Sequence, residues 1–180
     1  MSAEGNGLAW GAKVSEKFRD FVRQMEVDFR VDPNWFMACM AFETMETFRP
    51  DIRPMRDGKR LSSAVGLIQF LDATAEELGT TTTALAAMTA EEQLPWVWKY
   101  FRNRIRAKGP LQTLEDVYMA IHWPAAIGKP LDEAMYVKGT SAYAVNASLD
   151  LNKDHTITKR EAGELVRLKL AKGLEAQNRG

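Results

Sequence analysis

The sequence predicts an all-α protein with six or seven helices and little or no sheet. Apolar residues recur at helical spacing in several segments, and capping residues stand directly before those segments. The chain has 180 residues, of which 46% are apolar and 27% are charged. This composition is typical of globular proteins and excludes a disordered or collagen-like chain. The length suits one domain, or one domain with a small appendage.

Two helices are predicted in the first 45 residues. Ser15 can cap the first, in which apolar residues follow at helical spacing as far as Phe29. Asp32 as N-cap and Pro33 at the first helical position begin the second. The residues from Trp35 to Phe42 are then apolar on every side of that helix. A helix of this kind is expected in the centre of a core.

The rest of the chain is predicted as further helices joined by loops. Residues 49–63 are expected to form a loop because Pro, Gly and Ser interrupt them, and residues 124–149 are expected to be irregular. Four helices are predicted here: one capped by Asp72 and ending at Gly79, one from the Thr89–Glu92 capping box to about Ala107, one from Thr113 through Ile121, and one after Thr158.

Composition and charge argue against several classes of protein. Lys and Arg together number 24, as do Asp and Glu, so there is no basic excess that would favour a nucleic acid partner. The apolar run from Trp35 to Phe42 is shorter than the roughly 17–25 residues of a membrane span. Cys39 is the single cysteine, which excludes an intrachain disulfide. The first ten residues lack the basic and apolar regions of a signal peptide, so we expect synthesis in the cytoplasm without one.

A glutamate stands at the end of the apolar second helix. Desolvation raises the pKa of a carboxyl group, so Glu43 is a candidate general acid near neutral pH. The alternative is that the helix has reached the surface and Glu43 is solvated. Glu46 follows three residues later, and two nearby carboxylates are typical of retaining glycosidases. For Glu46 we favour the alternative of an exposed helix end.

Four short segments occur in a characteristic order: Phe42-Glu43-Thr44, Thr47-Phe48-Arg49-Pro50, the segment from Ser63 to Phe70 that contains Gly66-Leu67-Ile68-Gln69, and Asp72-Ala73-Thr74-Ala75. Together they resemble the lytic transglycosylases and goose-type lysozymes, and more closely the phage endolysins and virion lysins of that group. The resemblance covers about residues 30–123. It implies a lysozyme-like, all-helical catalytic domain, which we place at residues 1–145.

The resemblance also implies roles for individual residues. Glu43 matches the catalytic acid, which protonates the glycosidic oxygen between N-acetylmuramic acid and N-acetylglucosamine. In transglycosylases it then acts as a base and yields a 1,6-anhydro sugar, whereas in lysozymes water attacks. Gln69 matches an amide that contacts substrate, and Gly66 would let the backbone approach the sugar. Ser63 matches a polar position near the acid, although a simple turn residue is an equal alternative.

The chain also departs from the family pattern. Met45 replaces a flexible glycine, and the later Tyr-containing strip of the family matches only loosely. Tyr118 or His122 would take the role of that tyrosine, although a histidine on an apolar helix is more often a core residue. Trp123, beside a proline at a helix end, is the best candidate for a sugar-stacking platform. The arginines of residues 49–60 could meet peptide-stem carboxylates, or form a solvated loop.

Residues 150–161 fit the twelve-residue register of an EF-hand calcium loop. His155 stands where glycine is usual, at a position that requires positive φ. We expect an EF-hand-like loop, with no evident entering helix, and a C-terminal helix packed on the domain, together at residues 146–180. A calcium ion here would be structural, and none is expected in catalysis; the alternative is a turn capped by Thr158 and Glu161. The predicted oxygen ligands are Asp150, Asn152, Asp154, Thr156, Thr158 and Glu161.

These observations predict a peptidoglycan-degrading phage lysin that acts on glycan strands of the bacterial cell wall. We expect a monomer without a membrane span, which reaches the wall through a holin-type opening or within a virion. The alternative function is an inactive calcium-binding helical adaptor, or a structural component of a phage tail.

Overall fold

The central helix of the fold begins and ends where the sequence places it. The computed structural model describes residues 7–180, and in it helix α2 spans Pro33–Glu43, after helix α1 at Glu16–Phe29. The predicted N-caps are confirmed, since Ser15 Oγ accepts from Phe18 N and Asp32 Oδ1 accepts from Asn34 N. Most residues of α2 have no exposed surface, so this helix lies inside the core.

The prediction of an all-α fold with little sheet is confirmed. Within residues 7–180 there are eight α-helices and two small antiparallel sheets of two strands each. The remaining helices are α3 at Asp72–Leu78, α4 at Thr82–Ala86, α5 at Ala90–Lys108, α6 at Leu114–His122, α7 at Ser141–Asn146 and α8 at Lys159–Gly173. The strands are β1 at Met55–Arg56, β2 at Lys59–Arg60, β3 at Ala134–Val137 and β4 at Thr156–Thr158. None of the described helices is long and apolar enough to cross a membrane.

Three local predictions were wrong. Residues 49–63 contain the β1–β2 hairpin, which turns at Asp57 and Gly58, both with positive φ. Asp72 is the first residue of α3 rather than its cap: Leu71 takes the N-cap position, and the Asp72 carboxylate accepts from Thr82 Oγ1 at 2.5 Å instead of from the helix backbone. Residues 124–149 include a strand and a helix, because β3 pairs with β4 and α7 packs against β3.

The C-terminal segment is built into the same core as the rest of the chain. Strand β4 pairs with β3, and α8 packs against α2 and α6. Lys159, at the start of α8, donates from Nζ to Asp116 Oδ1 of α6 at 2.6 Å. Both side chains are almost fully buried. A buried pair of opposite charges therefore joins the end of the 150–161 loop to α6.

Candidate active site

Glu43 lines a cleft together with Gln69, as the sequence predicted. The cleft has a volume of about 200 Å³ and is open to solvent on one side. It is formed by the end of α2, the loop before β1 and the turn before α3. Its lining residues are Phe42, Glu43, Met45, Ile52, Arg53, Pro54 and Gln69. Among these residues Glu43 alone carries a carboxyl group. A larger and more open depression, of about 790 Å³, lies between α1 and the start of α2 and does not include Glu43.

The carboxyl group of Glu43 is strongly desolvated. The residue keeps part of its surface open to the cleft, yet protein surrounds it densely, and this burial raises its pKa to about 8. The thiol of Cys39 and the hydroxyl of Tyr118 also have raised pKa values, first through burial and then through the nearby Glu43 carboxylate. Glu43 is therefore protonated at neutral pH, the state that a general acid requires.

Two side chains that flank the acid come from strained backbone. Met45 has φ of +52° and Gln69 has φ of +53°, in the left-handed region that non-glycine residues rarely adopt. Such conformations cluster at functional sites, because the surrounding structure must enforce them. Thr44, which has no exposed surface, holds the turn after α2, since its Oγ1 donates to Met40 O and accepts from Phe48 N. Sequence reasoning did not identify this role of Thr44.

The Gln69 amide connects two walls of the cleft. Its Nε2 donates to Ile52 O at 3.2 Å and to Gly66 O at 3.0 Å. Gly66 has φ of +80°, and a Cβ atom there would lie 2.3 Å from Gln93 Oε1. A side chain at position 66 would therefore clash with Gln93. This packing explains the glycine, and the sequence alone did not reveal it. Gln93 is fully buried. Its side chain accepts a hydrogen bond from Leu67 N and donates to Pro50 O and Leu85 O, and these hydrogen bonds stabilise the turn.

A hydrogen bond joins Arg53 to Ser63. Arg53 lines the cleft and donates to Ser63 O at 3.1 Å and to Thr82 O at 3.4 Å. Ser63 Oγ accepts from Asp72 N and so helps to begin α3. Ser63 is therefore a turn-forming residue in this structure, and it is not among the residues that line the cleft.

An aromatic cluster extends from the cleft along α6. The Tyr118 ring meets Phe42 edge-on at 5.4 Å and stacks on His122 at 5.3 Å. Nε2 of His122 and the hydroxyl of Tyr136 are 3.1 Å apart. Trp123 stacks on Tyr136 at 5.6 Å. Burial lowers the pKa of His122, which favours a neutral ring. The structure thus brings Tyr118, His122 and Trp123 together, and adds Tyr136 from β3.

Glu46 is not an exposed helix end, so that prediction was wrong. Its side chain is 21% exposed, and its carboxylate accepts hydrogen bonds from Lys169 and Lys172 of α8. Those two hydrogen bonds hold the pKa of Glu46 below its usual range. Glu46 faces a groove beside α8 and does not line the cleft of Glu43. Its role in this structure is to tie the turn after α2 to the C-terminal helix.

The six predicted metal ligands are divided between the turn at residues 150–155, strand β4 and the first turn of α8. A helical segment does precede the loop, since α7 and a 3-10 turn at Ala147–Leu149 lead into it, so the expectation of no entering helix was wrong. His155 has φ of +73°, as position 6 of an EF-hand requires. Within residues 7–180, no three His, Cys, Asp or Glu side chains already form a group that could hold a metal ion.

The raised pKa of Glu43 predicts that Glu43→Gln stabilises the protein at neutral and alkaline pH. Between about 4.5 and 8 the unfolded chain releases this proton while the folded protein keeps it, so stability falls as pH rises through that window. Removing the carboxyl should therefore raise the free energy of unfolding at pH 7 by roughly 3 kcal/mol. Urea unfolding of both proteins at pH 5, 7 and 9 measures this difference. A gain that does not grow with pH would contradict the assigned pKa.

Comparisons with known proteins do not place the chain in a family. No protein-family model matches the sequence, and no curated protein matches it either.

Proposed function

We propose that the protein is a muralytic enzyme that cleaves the β-1,4 bond between N-acetylmuramic acid and N-acetylglucosamine, with Glu43 as acid and then base. The observation that carries the proposal is a carboxyl group with a pKa near 8 in an open cleft that the strained Gln69 also lines. The ordered motifs that resemble phage lysins support the same assignment.

The reaction needs one proton donor that becomes a proton acceptor. Protonated Glu43 gives its proton to the glycosidic oxygen, and the bond from that oxygen to the anomeric carbon breaks. The resulting carboxylate then takes the proton of the muramoyl 6-hydroxyl, whose oxygen forms the new bond to the anomeric carbon. The products are a free sugar 4-hydroxyl and a 1,6-anhydro end, and Glu43 is protonated again.

The cleft favours this route over a mechanism with two carboxylates. A retaining glycosidase places a second carboxylate about 5–5.5 Å from the acid, as nucleophile. Glu43 alone carries a carboxyl among the cleft-lining residues, and Glu46 is engaged by two lysines of α8. A nucleophile supplied by the substrate itself removes the need for a second acidic residue.

Digestion of purified peptidoglycan followed by mass spectrometry tests the proposal. We expect muropeptides whose terminal muramic acid is lighter by about 18 Da, the mass of one water, than the hydrolysed product. Hydrolysed ends would instead indicate lysozyme-type attack by water. Intact peptidoglycan, together with no lysis of permeabilised Gram-negative cells, would contradict the enzyme and favour the inactive calcium-binding adaptor or the phage-tail component.

Gln69→Ala should weaken both the turn and the catalysis. The change removes the two hydrogen bonds from Nε2 to backbone carbonyls, each with a net contribution of about 1 kcal/mol to stability. It also removes an amide that lines the same cleft as Glu43. We therefore expect a modest fall in Tm and a larger fall in the rate of lysis, measured well below that Tm. Normal specific activity would show that Gln69 only holds the turn.

A further inference from the structure

We propose that residues 150–161 bind a calcium ion, and that the ion fixes the junction of this loop with β3 and α6. The proposal does not depend on the activity assigned to the cleft. It rests on how the three carboxylates of the loop use their oxygens, and on the contacts of the residues that follow them.

The first observation is an unpartnered carboxylate oxygen in a buried side chain. The side chain of Asp150 is only 4% exposed, and its Oδ1 has no hydrogen-bond partner. Its other oxygen accepts from the Tyr143 hydroxyl at 2.5 Å and from His155 N at 3.0 Å, which directs the group into the loop. Buried polar atoms nearly always have a hydrogen-bond partner, so the unpartnered Oδ1 of Asp150 indicates a place for a ligand.

The other two carboxylates also use one oxygen to accept backbone hydrogen bonds within the loop. Asp154 accepts a backbone hydrogen bond from Thr156 N through Oδ1, while Oδ2 meets only the Asn152 amide at 3.0 Å. Glu161 accepts from Thr158 through Oε2, while Oε1 has a long contact of 3.4 Å to Asn152 N. Of the three remaining oxygens, Asp150 Oδ1 has no partner, Glu161 Oε1 has one long contact, and Asp154 Oδ2 has a single hydrogen bond within the loop. The three carboxylates do not yet form a group around one point, so calcium binding requires their side chains to rotate towards a common ion.

The chemistry of these donors selects a hard divalent cation. Carboxylate, amide, hydroxyl and carbonyl oxygens suit calcium, which accepts six to eight oxygens in flexible geometry. Asn152 Oδ1, the Thr156 carbonyl and Thr158 complete the set at positions 3, 7 and 9. Nitrogen and sulfur ligands, which zinc prefers, are not part of this register.

The loop continues directly into contacts that build one side of the aromatic cluster. Ile157 of β4 pairs with Tyr136 of β3, whose hydroxyl meets His122 of α6. Lys159 follows β4 and is paired with Asp116 of α6. An ion that fixes positions 150–161 would therefore also stabilise β3 and its contact with α6.

Thermal unfolding of the full chain in calcium and in chelator tests the proposal. At a hundredfold excess of calcium over its Kd we expect Tm to rise by about 5–10 °C. Asp150→Asn and Glu161→Gln should abolish most of the rise, and both keep side-chain shape, while Gln can still cap α8. Asp20→Asn on α1, an exposed carboxyl outside the loop, is the matched control and should keep the full rise. His155→Gly should bind calcium more tightly, because glycine adopts positive φ freely.

Terbium luminescence gives a readout that does not depend on stability. The Tyr143 hydroxyl contacts Asp150, so terbium bound in the loop should be sensitised by this tyrosine and displaced by calcium. The signal should be lost in Asp150→Asn and in Tyr143→Phe. Absence of both the Tm shift and the luminescence in the wild type and in His155→Gly would overturn the proposal. An equal Tm shift in Asp150→Asn and Glu161→Gln would overturn it as well.

Discussion

Glu43→Gln should reduce the rate of peptidoglycan cleavage by about 10²–10⁴-fold without loss of the fold. Glutamine has nearly the shape of glutamate but cannot donate the proton that the leaving oxygen needs. The wild-type rate should stay high while Glu43 is protonated and should decline above about pH 8, where its carboxyl ionises. Turbidity loss of permeabilised cells, measured as a function of pH for both proteins, checks the two expectations together.

Glu46→Gln is the matched control, because it neutralises a carboxyl three residues away. Glu46 is already ionised and paired with Lys169 and Lys172, so it cannot serve as a proton donor at neutral pH. We expect this variant to lose some stability and to retain most of the activity. If both variants lost activity equally, a mechanism with two carboxylates would replace the one proposed. If Glu43→Gln kept more than about a tenth of the wild-type rate, Glu43 would not be the acid.

Lys159→Met should destabilise the protein by about 3–5 kcal/mol, because it leaves the Asp116 carboxylate buried without its counter-charge. Lys159 and Asp116 are 1% and 2% exposed, and their charged atoms are 2.6 Å apart. Burial alone would raise the pKa of Asp116, but hydrogen bonds from Lys159 and two backbone N–H groups lower it. The pair therefore stabilises the folded state at neutral pH, and this contribution is lost as the carboxylate is protonated in acid.

A double variant separates the buried charge from the loss of packing. Lys159→Met combined with Asp116→Asn contains no buried charge, so it should recover a large part of the lost stability. Arg23→Met, which breaks the exposed pair with Asp20 on α1, should change stability by less than about 1 kcal/mol. Urea unfolding of the four proteins measures these differences. A single Lys159→Met variant as stable as the Arg23→Met control would show that the pair adds nothing.

Much of the fold was predictable because its helices carry local signals. The N-caps Ser15 and Asp32, and the capping boxes at Thr89 and Thr158, act within one helical turn, so the sequence alone locates them. Strand β3 has no comparable signal, whereas α7 begins at a local one that the prediction missed, the Thr140 N-cap, which accepts from Tyr143 N. Strand β3 depends on pairing with β4, about 20 residues later, which local patterns do not report.

The sequence by itself determined that a carboxyl group follows the most apolar helix, that an amide stands in an apolar strip, and that a twelve-residue loop carries oxygen ligands at regular positions. Only the tertiary structure decided what surrounds these groups. In the folded chain Glu43 is surrounded by protein, and Glu46 is hydrogen-bonded to α8. The Gln93 amide fills the space at Gly66, and Tyr136 joins the aromatic cluster. The physical reason is that burial and charge pairing depend on residues far apart in sequence, whereas caps and turns depend on neighbours.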